Sequence, residues 1–295
     1  MSVCLSGCGS DALSGNSSGD QTTNGANNLQ AETKMHGCQL PIGQANLVID
    51  GIPVDVWTPS EKYAGDVLVL HPWNVSRKEW CVKAMLCTKA ADRGFRLIMP
   101  EMGKSIYSQA VYPETREDWK EFPTMTWVKE TLIPELREQH CLLKTDGQNF
   151  VLGASAGARG ALLLAEELPS LFVAVAGLSG DYNPSELKGD NVYRGFLGDF
   201  EQFPQRWELA ENVVEGCGDI RASVYLGHGK ADDMVSYQQT LHLYDQLKAS
   251  NPELNIRLNL PAEAGGDFVF WGSEVGHVFD FFESMQATGP EGSLQ

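Results

Sequence analysis

The stretch Asn149-Phe150-Val151-Leu152-Gly153-Ala154-Ser155-Ala156-Gly157, followed by Ala161-Leu162-Leu163-Leu164-Ala165-Glu166-Glu167-Leu168, decides the fold. Its first four residues read as a buried strand and its last eight as a helix. Between them stands G-x-S-x-G. A serine on a strand-to-helix turn of this kind is a nucleophile elbow: the backbone is strained, the hydroxyl is presented, and small neighbours let strand and helix approach closely. The pentapeptide alone is weak in a chain with 30 glycines. Its flanking strand and helix make it strong.

A serine hydroxyl needs a base, and an imidazole base needs a carboxylate to fix its tautomer. In this architecture the chain order is Ser, acid, His. Only His228, His242 and His277 follow Ser155. His277, in Val275-Gly276-His277-Val278 ahead of the run Phe279-Asp280-Phe281-Phe282, is expected on a loop after the last strand and is the predicted base. His242 falls in a helical stretch and reads as a surface or packing residue, and His228 as a structural turn residue. For the acid, the segment His228-Gly229-Lys230-Ala231-Asp232-Asp233 leaves a strand. Asp232 is preferred, Asp233 being suited to cap the following helix. Asp181, at the end of an earlier strand, is the outside candidate, with a turn aspartate as its plainer reading.

The oxyanion formed in such a reaction needs two backbone N–H donors. Ala156, after the nucleophile, supplies one. The loop after the apolar run Asp66–Leu70 supplies the other; Pro72 has no N–H, so Trp73 is preferred, with Asn74 behind it. The segments 102–123 and 184–211 lack periodicity and carry aromatic and polar residues, as loops that shape a substrate pocket do. Tyr107, Tyr112, Trp119 and Trp271 are candidates to line it, with Tyr107 and Trp271 taken as substrate-binding. Lys104 and Arg159 are candidates to meet a substrate carboxylate, though isolated basic residues are usually solvated surface.

These residues carry a resemblance. The chain resembles the Putative esterase family of α/β-hydrolases, which includes esterase D-type, feruloyl-esterase-like and mycolyltransferase-type proteins. The matching stretches are His71-Pro72-Trp73, Leu132-Ile133-Pro134-Glu135-Leu136, Gly153 to Gly160, Leu178-Ser179-Gly180-Asp181-Tyr182, His228 to Asp232 and Gly276-His277. Two positions depart from the family pattern: Pro72 replaces the glycine of the oxyanion turn, and Ala158-Arg159 stands where small residues are common. The resemblance implies hydrolysis of carboxylic esters, or acyl transfer, with no metal or organic cofactor. Peptide hydrolysis on the same triad, or a non-catalytic binding protein of the same fold, are the alternatives.

The rest of the chain fits one such domain. Strand-like runs (45–57, 67–71, 95–100, 150–153, 172–179, 223–228, 256–260) alternate with helical ones (78–93, 126–140, 159–168, 237–249). That predicts an α/β-hydrolase fold, a mainly parallel central sheet with helices on both faces, over residues 37–286. Residues 287–295 are expected to form a flexible tail. Residues 1–36 are expected to be a disordered tail, rich in Ser, Gly and Asn. It contains Leu5-Ser6-Gly7-Cys8, which resembles a bacterial lipobox and makes Cys8 a candidate lipidation site. Cell-envelope anchoring or export is the expectation, and a cytoplasmic location the alternative. A formal charge of −17 argues against nucleic acid and anionic membrane surfaces as partners. No Cys/His cluster has metal-ligand spacing. Cys81 and Cys87 lie six apart on one expected helix, on different faces, and should not pair with each other.

Overall fold

The computed structural model describes residues 40–286. The tail, Cys8 and its lipobox-like context, and residues 287–295 lie outside the described residues.

Eight strands form one sheet: β1 (Gly43–Ile49), β2 (Ile52–Thr58), β3 (Gly65–Leu70), β4 (Phe95–Pro100), β5 (Asn149–Ala154), β6 (Ala174–Leu178), β7 (Ser223–Gly227) and β8 (Ile256–Asn259). Their order is β1-β2-β4-β3-β5-β6-β7-β8. The pairs β1/β2 and β2/β4 are antiparallel and all others parallel. Strands β3, β5 and β6 are buried at every residue, as a sheet covered on both faces requires. Side chains alternate along a strand, so Leu68, Leu70 and Val151 enter one core while Val67, Val69 and Leu152 enter the other. This is the mainly parallel α/β-hydrolase sheet that the alternating sequence pattern predicts.

Two expected segments divide. The run 45–57 is a hairpin, turning at Asp50 (φ +50°) and Gly51 (φ +78°), the left-handed pair that a two-residue hairpin turn needs. The helix expected over 78–93 is two helices, α1 (Glu79–Lys83) and α2 (Leu86–Arg93), broken where Met85 takes φ +55°. That break corrects the cysteine expectation. On a continuous helix Cys81 and Cys87 would face apart; across the break their Cα atoms are 5.0 Å apart and they form a disulfide. Cys141 is also disulfide-bonded, and Cys217 is a buried free thiol.

The helix α3 (Ile133–His140) runs on from Met125–Trp127 through a π turn at Val128–Leu132. After β5 come α4 (Ala156–Glu167), α5 (Asn191–Leu197), α6 (Val213–Gly216), α7 (Tyr237–Ser250) and α8 (Phe268–Gln286). The last of these replaces the loop expected around His277. Trp271, Val275, Val278, Phe279 and Phe282 recur at helical spacing and are buried. Phe279 stacks on Phe95 of β4 and Phe282 on Phe150 of β5, with ring centroids 5.0 and 4.6 Å apart. This apolar stripe outweighs the helix-weakening effect of Gly272 and Gly276. Among the described residues no helix is long and apolar enough to cross a membrane.

The Cys81–Cys87 bridge closes a short loop, for which chain entropy gives about 2 kcal/mol. Replacing both cysteines by serine should lower the unfolding free energy by about that amount in urea denaturation. Unchanged stability would mean that the α1–α2 break holds without the bridge.

Candidate active site

Ser155 joins β5 to α4 with φ +52° and ψ −127°, a conformation that costs a non-glycine residue about 1–3 kcal/mol. Its neighbours leave no room to relax. A Cβ on Gly157 would lie 2.2 Å from the Leu70 carbonyl oxygen, and one on Gly153 would lie 1.9 Å from that of Gly157. The Ser155 N–H donates to the Leu178 carbonyl at 2.9 Å, which ties the turn to β6. The strand, sharp turn and helix expected around Ser155 are present.

The oxyanion loop follows β3. His71 is buried and braces it: Nδ1 donates to the Pro72 carbonyl at 2.9 Å, and Nε2 accepts the Met102 N–H at 2.7 Å. Burial lowers its pKa, so the ring is a neutral strut. The Asn74 N–H is spent on the Gly103 carbonyl, which removes Asn74 as a donor and leaves Trp73. Both Trp73 and Ala156 line a cavity of about 280 Å³ with Ser155. Tyr107 does not line it. Its ring is fully buried and its hydroxyl donates to the His71 carbonyl at 2.7 Å, so it supports the oxyanion loop from behind and is not a substrate contact. Trp271 does line the cavity, its indole N–H held by Ser179 Oγ at 3.1 Å. Of the other aromatic candidates, Trp119 is buried against Phe196 and Tyr112 packs beneath Arg206. Lys104 faces Asp118 at the surface.

Asp232 lines the cavity and Asp233 is exposed. Asp232, however, is fully engaged. Oδ1 accepts the N–H groups of Met234 and Val235, and Oδ2 lies 3.2 Å from His228 Nε2. Burial opposes its charge, but the His228 contact and the two N–H donors outweigh it and hold the carboxyl below its usual pKa. His228 itself is buried, with Nδ1 2.6 Å from Thr240 Oγ1 and Nε2 3.0 Å from the Val235 carbonyl.

His277 is not in the site. It stands on α8, 61% exposed, beside Glu274 at 3.4 Å. Helical periodicity turns it away from the stripe that packs on the sheet, and it is absent from the cavity wall. His242 is also exposed, facing Glu186 at 3.7 Å. Among the described residues no histidine lines the cavity that holds Ser155. A triad imidazole belongs on the loop after the last strand, between acid and serine. Here that loop is Leu260-Pro261-Ala262-Glu263-Ala264-Gly265-Gly266-Asp267. Gly266 lines the cavity, and a Cβ on it would lie 2.0 Å from Asp232 Oδ2. The next residue, Asp267, accepts the Val269 and Phe270 N–H groups and caps α8. Ser155 and Asp232 line one cavity, and glycine and aspartate stand on the loop where a triad imidazole would come.

One feature of the site had no sequence signal. Arg159, one turn after Ser155, is completely buried. Its guanidinium reaches Glu211 Oε2 at 2.8 Å, Tyr193 Oη at 3.3 Å, the Ile106 carbonyl, and Asp181 Oδ1 at 3.7 Å. The Tyr193 hydroxyl donates to Asp181 Oδ2. Burial favours the neutral form of Arg159, and Tyr193, Glu211 and Asp181 more than offset it and raise its pKa. Its partners come from three distant segments, so no local pattern announces the burial.

Residues 66–270 match the Putative esterase family. The chain belongs to this family. Membership places it among the carboxylic ester hydrolases that use serine, in agreement with the expectation from the elbow. No curated protein matches it in sequence. In structure it is similar to the serine hydrolase FphF of Staphylococcus aureus (15% identity, TM-score 0.64, covering 81% of this chain and 97% of that one). It is similar to an S-formylglutathione hydrolase from Agrobacterium tumefaciens (16%, 0.63, 84% and 97%). It is also similar to MPT51 (FbpC1) of Mycobacterium tuberculosis (16%, 0.64, 84% and 99%). At these identities the likeness shows the fold.

For this esterase-family chain, His277→Ala should leave turnover of a p-nitrophenyl ester within about twofold of wild type, since the ring meets neither Ser155 nor Asp232. A loss of several hundredfold would return His277 to the site.

Proposed function

We propose that the chain acts on carboxylic esters through Ser155, with the ester carbonyl oxygen held by the Ala156 and Trp73 N–H groups and with no imidazole base. The observation that supports this best is the strained Ser155 turn, opening on a cavity beside two N–H groups that have no partner among the described residues. The N-terminus of α4 adds a favourable dipole for the oxyanion. Ser155 Oγ bonds to the carbonyl carbon and its proton passes to water. The alcohol leaves with a proton from water, and a second water releases the acid. Asp232, in this reading, stabilises the loop and does not orient a base.

The magnitude expected is modest. Serine triads stripped of a member keep about 10³–10⁴-fold catalysis over water from the oxyanion hole and binding alone. Acyl transfer to another alcohol would use the same site. A second reading, a binding protein that holds an ester without cleaving it, is favoured by a cavity wall that carries no histidine among the described residues. Lipid anchoring through Cys8 and a cell-envelope location stay proposals from the sequence.

Fluorophosphonate labelling of wild type beside Ser155→Ala, read by peptide mass spectrometry, separates the two readings. Slow labelling confined to Ser155 is the expected result. A folded protein that never labels would favour the binding protein. The variant Asp267→His puts an imidazole on the loop that passes Asp232, and should raise ester turnover by at least about tenfold, net of about 1 kcal/mol of lost helix capping. No gain in a folded variant would show that the loop does not present this position to Ser155.

A further inference from the structure

We propose that the Ser155 cavity selects an ester carrying an uncharged hydrocarbon chain of about six to eight carbons, and that Leu187 and Val192 are the side chains that set this preference; this rests on the esterase reading above. The carboxylates and hydroxyls of the wall already hold partners within the protein. Asp232 is held by His228 and two N–H groups, and Asp190 caps α5 through the Val192 and Tyr193 N–H groups. Asp181 is paired with Arg159 and accepts from the Tyr193 hydroxyl. Ser179 Oγ accepts the Trp271 indole N–H. A charged group on the substrate would leave water and find these side chains engaged, which is unfavourable.

Much of the remaining wall is hydrocarbon. Val75, Ile106, Leu187, Val192, Met234 and Val235 line it, brought together from the loops after β3, β4 and β7 and from the segment that leads into α5. Leu187 and Val192 pack on the core yet stay half-buried, so each keeps apolar surface that a chain can cover. The Asp190 cap takes the Val192 N–H at 2.7 Å, which holds this side chain at the wall through its backbone. Covering such surface favours hydrocarbon by about three- to fourfold in affinity per methylene.

The chain length follows from the volume. An apolar cavity of about 150 Å³ takes a benzene ring, so one of about 280 Å³ takes about eleven non-hydrogen atoms. The ester group uses three of them, which leaves about eight for the chain. Met234 is 78% exposed and marks the mouth. A longer chain passes it into water and gains nothing further.

The test uses alkan-2-ones, which keep a carbonyl and a hydrocarbon chain but cannot be hydrolysed, with binding read by calorimetry on the full chain. From butan-2-one to octan-2-one affinity is expected to rise about three- to fourfold per methylene, and from decan-2-one to dodecan-2-one to rise no further. The same chain ending in a charge, as 7-oxooctanoate or 7-(trimethylammonio)heptan-2-one, should bind at least about tenfold more weakly than octan-2-one. Val192→Trp and Leu187→Trp, which fill the cavity, should each lower octan-2-one affinity at least about tenfold. Equal affinities along the series, a gain that continues to dodecan-2-one, a charged chain that binds as well, or octan-2-one affinity unchanged in a folded variant would overturn the proposal. If neither variant folds, the series on wild type decides. Ketone binding needs no reaction at Ser155, so it fails separately from the labelling experiment. Labelling without a chain preference removes the selectivity alone, and a chain preference without labelling removes the ester chemistry alone.

Discussion

The first turn of α4 is pressed against the ends of β3 and β5 so closely that a single methyl group at Gly157 or Gly153 would collide with backbone. This contact governs the site. Because the helix can start nowhere else, Ser155 is held in a left-handed turn that its own preferences disfavour. The strain of about 1–3 kcal/mol is sustained by packing on both sides, from Leu70 and from the Ser155 N–H bond to Leu178. The hydroxyl and the Ala156 N–H are fixed together as a result. The oxyanion loop is fixed independently, by neutral His71 and by the Tyr107 hydroxyl.

The same helix carries the second organising element. One turn after Ser155, Arg159 points into the protein and ties the loop at Ile106, α5 at Tyr193, and Glu211 to α4. Isolating this charge from water would be very costly without such partners, and removing one partner of a buried pair is typically worth about 3–5 kcal/mol. The irregular segments on either side of the elbow are thus anchored to it by a single side chain. The anchoring also shapes the cavity, because it holds Asp181 and Tyr193 against Arg159 on the cavity wall.

The fold was legible because its signals are local. The buried runs of β3, β5 and β6 and the glycine spacing around Ser155 can each be read within a dozen residues. Sequence and structure differ where a residue's place depends on distant partners. Only its place in the chain after Ser155 speaks for His277 as a base. The stripe Trp271, Val275, Val278, Phe279 and Phe282 was in the sequence and spoke for a helix instead. Tyr107 and Arg159 are the converse case. Their places in the sequence suggest a cavity wall or the surface, and both are buried by partners 22 to 53 residues away. Cys81 and Cys87 turned on one residue, Met85, whose left-handed backbone no propensity announces.

Two neighbouring features of the site belong together physically. Asp232 lines the cavity, and its imidazole partner is His228, which does not line it. Gly266 fits against its carboxylate because it has no side chain. With its charge satisfied by His228 and two N–H groups, Asp232 has little to gain from a second imidazole, so the loop after β8 can close over it with glycine. Asp181, the other buried carboxylate on the wall, is likewise engaged: Oδ1 lies 3.7 Å from Arg159 Nε and Oδ2 accepts from the Tyr193 hydroxyl. Both carboxylates therefore have a basic partner of their own, Asp232 in His228 and Asp181 in Arg159, and among the described residues no histidine joins them on the cavity wall.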